Sequence, residues 1–216
     1  MNTSRALESL CSMLGACALL AGCGTPAPPP QLYQLRAAPP VVVVVVQSAV
    51  QAVGAAVAAA PTLQLLLPVA IPELLERDAI VVASGQAGVQ TLSGHRWAEP
   101  LRDAVPRLLR QDLAALLGNG KVWVAPLPAA LVVQRLLRVE LLVLQADAAR
   151  SSVQLQARWT LSDATGRAVG MTPVLTQVET LSVAITGADT DALVVAHRLA
   201  LWRFAERLSQ VLLQQP

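Results

Sequence analysis

Apolar residues fall along this chain in runs of different period, and each period predicts a different element. A mostly apolar stretch, Leu10 to Leu20, follows a polar start with one positive charge, Arg5. A second tract, Val41 to Ala60, opens with six consecutive valines and continues through Gln47, Ser48, Gln51 and Gly54 into alanines. From residue 62 the runs shorten. Leu63–Ala70 reads as a strand closed by Ile71-Pro72, Ala79–Ala83 as a second, and Val89–Ser93 as a third, shorter one, with Ser84-Gly85 and Gly88 turning the chain between the last two. Residues 101–117 switch to helical spacing, with Leu101, Val105, Leu108, Leu109, Leu113, Leu116 and Leu117 on one stripe. Pro100 suits the first turn and Gly118-Asn119-Gly120 stops the helix. Pro106 either kinks this helix or moves its start to about Asp103.

The period then falls to two. Leu137, Val139, Leu141 and Val143 alternate imperfectly, whereas Val153, Leu155, Ala157, Trp159 and Leu161 alternate cleanly with polar neighbours. That is a strand with one buried face. Residues 162–167 predict a hairpin turn into a further strand, about 168–180, where Pro173 suggests an edge or a bulge. Asp189-Thr190-Asp191 caps a last helix over about 191–213, with Leu193, Val194, Leu201, Phe204, Leu208, Val211 and Leu212 on its apolar face. Arg198, Arg203 and Arg207 are expected mostly away from that face, and His197 at the helix surface or boundary. Burying all these stripes together predicts an α+β domain: a mixed, mostly antiparallel sheet with two main helices packed on one face.

The first run changes the picture most. It is too short to span a bilayer comfortably and ends in Leu20-Ala21-Gly22-Cys23, which resembles a bacterial lipobox. Small residues before the cysteine let a membrane peptidase reach the backbone, and the Cys23 thiol offers a sulfur for a diacylglycerol. Residues 1–22 are then a lipoprotein signal peptide, with Leu20, Ala21 and Gly22 as its recognition positions. All three cysteines lie at or before the cut, so the rest of the chain can form no disulfide or thiolate metal site. Residues 23–61 read as a lipidated cysteine followed by a Pro/Ala/Val-rich tether, and 62–216 as one domain. The uncharged 41–60 tract also has the length of a membrane span; its polar residues, flanking prolines and the lipid anchor favour a low-complexity linker, with the valines available as an edge strand.

Charge and candidate chemistry exclude more than they suggest. Net charge is +2, Lys121 is the single lysine among sixteen bases, and the bases are scattered, so no basic stripe points to nucleic acid. His95 and His197 have no metal-ligand spacing, and no nucleophile elbow or phosphate-cradling loop is present. Glu73, Glu76 and Asp78 around Arg77 read as a solvated turn with a local ion pair in preference to paired catalytic carboxylates. No enzyme activity, cofactor or metal is expected.

Several segments carry a resemblance. Ile71-Pro72-Glu73-Leu74-Leu75-Glu76-Arg77 is similar to the P-E-Y-L-D-R segment of the PqiC-type ABC-transport auxiliary lipoproteins. Leu74 stands in place of the aromatic and Glu76 in place of the aspartate. Arg96-Trp97-Ala98-Glu99-Pro100-Leu101 matches their R-W-A-E-P-L motif, and Trp159 to Gly166 resembles their W-x-L-x-D-x-x-G hairpin. Asp191-Ala192-Leu193-Val194 resembles the start of their last helix. The resemblance implies a periplasm-facing lipoprotein held in the outer membrane. It would be an auxiliary subunit of an MCE/ABC-type intermembrane lipid transport system that maintains envelope integrity. Its implied partners are a periplasm-spanning MCE-domain protein and the associated inner-membrane permease, and a ring of identical copies is compatible with it. The other readings are a structural or wall-associated envelope lipoprotein and, lacking a visible nucleophile and base, a lipid-anchored hydrolase. Pro72, Glu73, Arg77, Arg96, Trp97, Glu99, Pro100 and Leu101 are candidate partner contacts. Trp97 has an alternative, favoured role as a core plug, with Glu99 complementing the helix N-terminus.

Overall fold

The computed structural model describes residues 28–36, 60–164 and 175–214. The expected signal peptide, the expected lipobox with Cys23, the valine tract before Ala60, and residues 165–174 including Pro173 lie outside the described residues. The described elements are β1 (Gln31–Tyr33), β2 (Leu63–Leu65), a 3-10 turn (Glu73–Glu76), β3 (Ala79–Ser84), β4 (Gly88–Trp97), α1 (Leu101–Leu117), β5 (Val122–Trp123), β6 (Arg135–Ala146), β7 (Ser152–Asp163), β8 (Leu175–Ala184) and α2 (Thr190–Gln214).

The long pairings, β6 with β7 and β7 with β8, are antiparallel, as is β3 with β4. The short pairings of β1 with β4, β2 with β5 and β6, and β3 with β6 are parallel. The sheet is therefore mixed and mostly antiparallel, and the fold is α+β as the periods predict. Strand β6 is central. Its one edge carries β7 and then β8; its other edge meets β3 at Ala146 and β2 at Arg135–Leu137, with Ala70 bridging to Glu140 between them.

The imperfect alternation in β6 has a physical cause. A bulge between Leu141 and Val143 inserts one residue against β7, so the buried set runs Leu137, Val139, Leu141 and then Leu144, Ala146. Strand β7 keeps an unbroken period, burying Val153, Leu155, Ala157, Trp159 and Leu161. Helix α2 packs over β6, β7 and β8, and α1 packs beside it and against β5 and the 3-10 turn, burying Leu101, Ala104, Val105, Leu108, Leu109, Leu113 and Leu117.

Four expectations are corrected. The Leu63–Ala70 strand stops at Leu65, because Pro68 has no amide to give to a ladder. The Val89–Ser93 strand runs from Gly88 to Trp97; Gly94, at φ +76, sits in the irregular stretch where residues 92–95 of β4 pass Ile80 of β3, a conformation that costs glycine little. Helix α1 spans Leu101–Leu117 as its stripe predicts, with Pro100 at its N-cap and Pro106 inside it, so its start does not move to Asp103. The described part of the last sheet strand, Leu175–Ala184, ends four residues beyond the predicted 180, while the predicted 168–174 lies outside the described residues. Residues 31–36, assigned to the tether, join the domain: β1 pairs with β4, and Leu35 is buried. The last helix is capped as expected, the Ala192 amide donating to the Asp189 side chain at 2.8 Å.

Candidate functional site

The two motif segments, some twenty residues apart in sequence, meet at one end of the sheet. The Trp97 amide donates to the Asp78 carbonyl at 2.6 Å, directly after the 3-10 turn, and the Ala98 amide donates to the Tyr33 carbonyl at 2.7 Å. Three segments thus converge where β4 hands the chain to α1. Within the turn, the Leu75 amide donates to the Pro72 carbonyl at 2.8 Å and Leu75 is buried.

This junction divides the candidate residues into two sets. Trp97 and Leu101 point into the core, at 7% and 2% exposure, so Trp97 is the plug at the helix entrance. Its ring meets His197 of α2 edge-on, with centroids 5.6 Å apart. Glu99 binds Arg107 through two hydrogen bonds, 3.1 and 2.5 Å, tying the motif to the second turn of α1. That bond, chiefly, holds the Arg107 guanidinium above its ordinary range. Pro72 and Pro100 are half-buried, while Glu73, Arg77 and Arg96 are exposed. Arg96 lies on the sheet at the end of β4, in register with Leu32 of β1, and not in a loop.

The polar centre of the molecule lies beneath this junction. Arg198, expected away from the apolar face, is 4% exposed and donates two hydrogen bonds, 2.8 and 2.6 Å, to the Asp112 carboxylate of α1. Its Nε donates to the Arg36 carbonyl at 2.8 Å, fastening the N-terminal segment to both helices. His197, expected at the surface, is 2% exposed. Its Nδ1 lies 2.8 Å from the Leu193 carbonyl, which only accepts, so the ring is the neutral Nδ1–H tautomer. Burial pushes the His197 pKa down to about 4. Burial also raises Asp112 above the usual carboxylate range, while the Arg198 hydrogen bonds pull the other way.

Sequence reading missed this pair, although a signal existed. Asp112 occupies a stripe position of α1, four after Leu108, and Arg198 occupies one of α2, four after Val194. An acid and a base on the facing stripes of two helices point to a buried ion pair. Among the described residues, no group of three or more His, Cys, Asp or Glu side chains is placed to hold a metal, and no helix is long and apolar enough to cross a membrane. What the arrangement does is mechanical: hydrogen bonds fix the strand ends, the helices and the incoming N-terminal segment as one body.

Residues 45–209 match the family model described as ABC-type transport auxiliary lipoprotein component. No curated protein sequence matches the chain. The fold is similar to the crystal structure of an uncharacterized protein, with TM-score 0.61 and 16% identity over 85% of this chain and 98% of that one. It is also similar to that of a protein from Xanthomonas campestris, with TM-score 0.60 and 16% identity over 83% and 92%. At such identity these structures show the fold alone.

Proposed function

Because the chain belongs to the ABC-type transport auxiliary lipoprotein family, we propose that it is a non-enzymatic adaptor anchored by acylated Cys23 in the outer membrane, facing the periplasm. Residues 1–22 are its signal peptide, and it serves an MCE/ABC-type system that moves lipid between membranes and maintains envelope integrity. Its partner is the periplasm-spanning MCE-domain protein, with the inner-membrane permease beyond it.

One observation supports this reading above the others. The N-terminal segment is not a loose leader: eight residue steps after Cys23 the chain enters β1, and Arg198 grips it at Arg36. A force on the anchor is therefore delivered to the helix pair and sheet, as a docking module requires. The buried polar groups Asp112, His197 and Arg198 are engaged in structural bonds, and the motif residues Trp97, Glu99 and Leu101 build the junction. Glu73, Arg77 and Arg96 remain the exposed members of the motif and the residues through which it meets a partner.

The test is mass spectrometry of the native protein combined with co-purification of the MCE-domain protein. A diacylated Cys23 with the leader removed and stoichiometric partner is the expected result. An uncut leader, or an acylated protein that ignores the partner at high concentration, refutes the reading.

A further inference from the structure

The first described segment adds to the body at its rim. Strand β1 is three residues long, and two of them, Gln31 and Leu32, are exposed. It pairs with β4 alone among the described strands. Beyond that ladder, the Tyr33 carbonyl accepts from the Ala98 amide, and the Tyr33 hydroxyl lies 3.0 Å from His95 Nδ1. Leu35 is buried, and the Arg36 carbonyl accepts from Arg198.

The elements that hold this segment are themselves held without it. Strand β4 pairs with β3 from Gly88 opposite Ser84 to Arg96 opposite Ala79. The Trp97 amide keeps the Asp78 carbonyl, and the Trp97 ring keeps His197. Arg198 keeps both its bonds to Asp112 when the Arg36 carbonyl leaves. The chain is fastened again at Ala60, which is buried and whose carbonyl accepts from Lys121; β2 then pairs with both β5 and β6. A short segment whose departure leaves the other ladders, the helix pair and the buried ion pair in place opens at lower cost than the whole body unfolds.

We propose that residues 31–36 are a detachable clasp: they leave β4 and Arg198 while the sheet and both helices stay folded, and so give the lipid-anchored body two reaches. With the clasp closed, the first held residue is Gln31, eight steps from Cys23. With it open, the first held residue is Ala60, thirty-seven steps from Cys23. The fully extended reach grows more than fourfold, to about 130 Å. Closed, the clasp passes a pull on Cys23 straight into the sheet. Under a larger pull it yields before the sheet or the helices do, so a body held by its partner stays folded when the gap to the lipid widens. This inference rests on the acylated Cys23 of the adaptor reading and adds a conformational step to it.

Native-state hydrogen exchange of the full-length acylated protein in detergent micelles, followed at rising urea below the unfolding transition, tests it. The reporter is the Ala98 amide, whose acceptor is the Tyr33 carbonyl. Corrected for intrinsic rates, it exchanges roughly a hundredfold faster than the slowest amides of β7, with a weaker dependence on urea. The double variant Leu32→Cys with Arg96→Cys joins two residues in register on β1 and β4. Its disulfide slows Ala98 to the rate of β7, and reduction restores the fast exchange. If Ala98 exchanges in step with β7 in the wild-type protein, the clasp is no separate unit and the inference falls while the adaptor reading stands. If the disulfide forms and Ala98 stays fast, the opening is not that of the clasp, and the inference falls likewise. If mass spectrometry of the same sample finds no acyl chain on Cys23, both fall.

Discussion

Replacing Asp112 by alanine removes two charge-assisted hydrogen bonds, 2.8 and 2.6 Å long, from a guanidinium that is 4% exposed. Breaking a buried pair from one side costs roughly 3–5 kcal/mol, because the other charge stays dry and loses its counter-ion. For a domain of this size each kcal/mol moves the midpoint by roughly 2–4 °C, so the variant should melt about 10 °C below wild type. The companion variant Asp112→Leu with Arg198→Met removes both charges and keeps the helix contact apolar. It should return to within about 1 kcal/mol of wild type, the residual being the donor lost by the Arg36 carbonyl. Calorimetry and urea unfolding of the three proteins check this. A loss below about 1 kcal/mol for Asp112→Ala refutes the assignment of a buried pair that needs its partner. So does a double variant as damaged as the single one.

Other outcomes follow from the same geometry. His197 has a folded pKa of about 4 against an ordinary 6.5, so the unfolded chain binds the proton more readily. Its stabilising contribution, about 3 kcal/mol, is whole above pH 6.5 and is lost as pH falls through 4. His197→Asn, measured against wild type by unfolding from pH 4 to 7, should flatten that slope. Trp97→Ala should cost about 3–5 kcal/mol and Arg96→Ala less than about 0.5, as read by denaturant midpoints; equal effects would remove Trp97 from the core. Leu35→Ala should cost about 2–4 kcal/mol, which a residue in a free tether would not. Asp189→Ala should cost about 1 kcal/mol by loss of the α2 cap.

Period and capping made most of the fold legible. Strand β7, helix α1 and helix α2 stand where alternation, the stripe and Asp189 put them, because one-sided burial imposes those periods directly. What escaped reading depends on partners distant in sequence. Three residues, Gln31–Tyr33, make a strand only because β4 offers a parallel edge, and nothing in their own order announces it. Arg198 and His197 look like solvent-facing residues by type, and only the spacing from Val194 and Leu193 places them inside. The bulge in β6 showed itself as a faltering alternation, legible as irregularity but not as an inserted residue. At the candidate site, the buried role of Trp97 was readable from its size and its place before Pro100. The meeting of the two motif segments through Asp78 was not, since a backbone bond leaves no trace in residue type.

The pairing of β1 with β4, backed by the grip of Arg198 on Arg36, fixes the N-terminal segment to the body from Gln31 onward. If Cys23 carries the proposed lipid, the leash is the eight steps from it to Gln31, at most about 28 Å when taut. The described chain resumes at Ala60, whose carbonyl accepts from Lys121. Under the proposed anchoring, and with β1 paired, each residue removed from 24–30 draws the whole body closer to the lipid, whereas the length of the chain after Arg36 does not enter the standoff height.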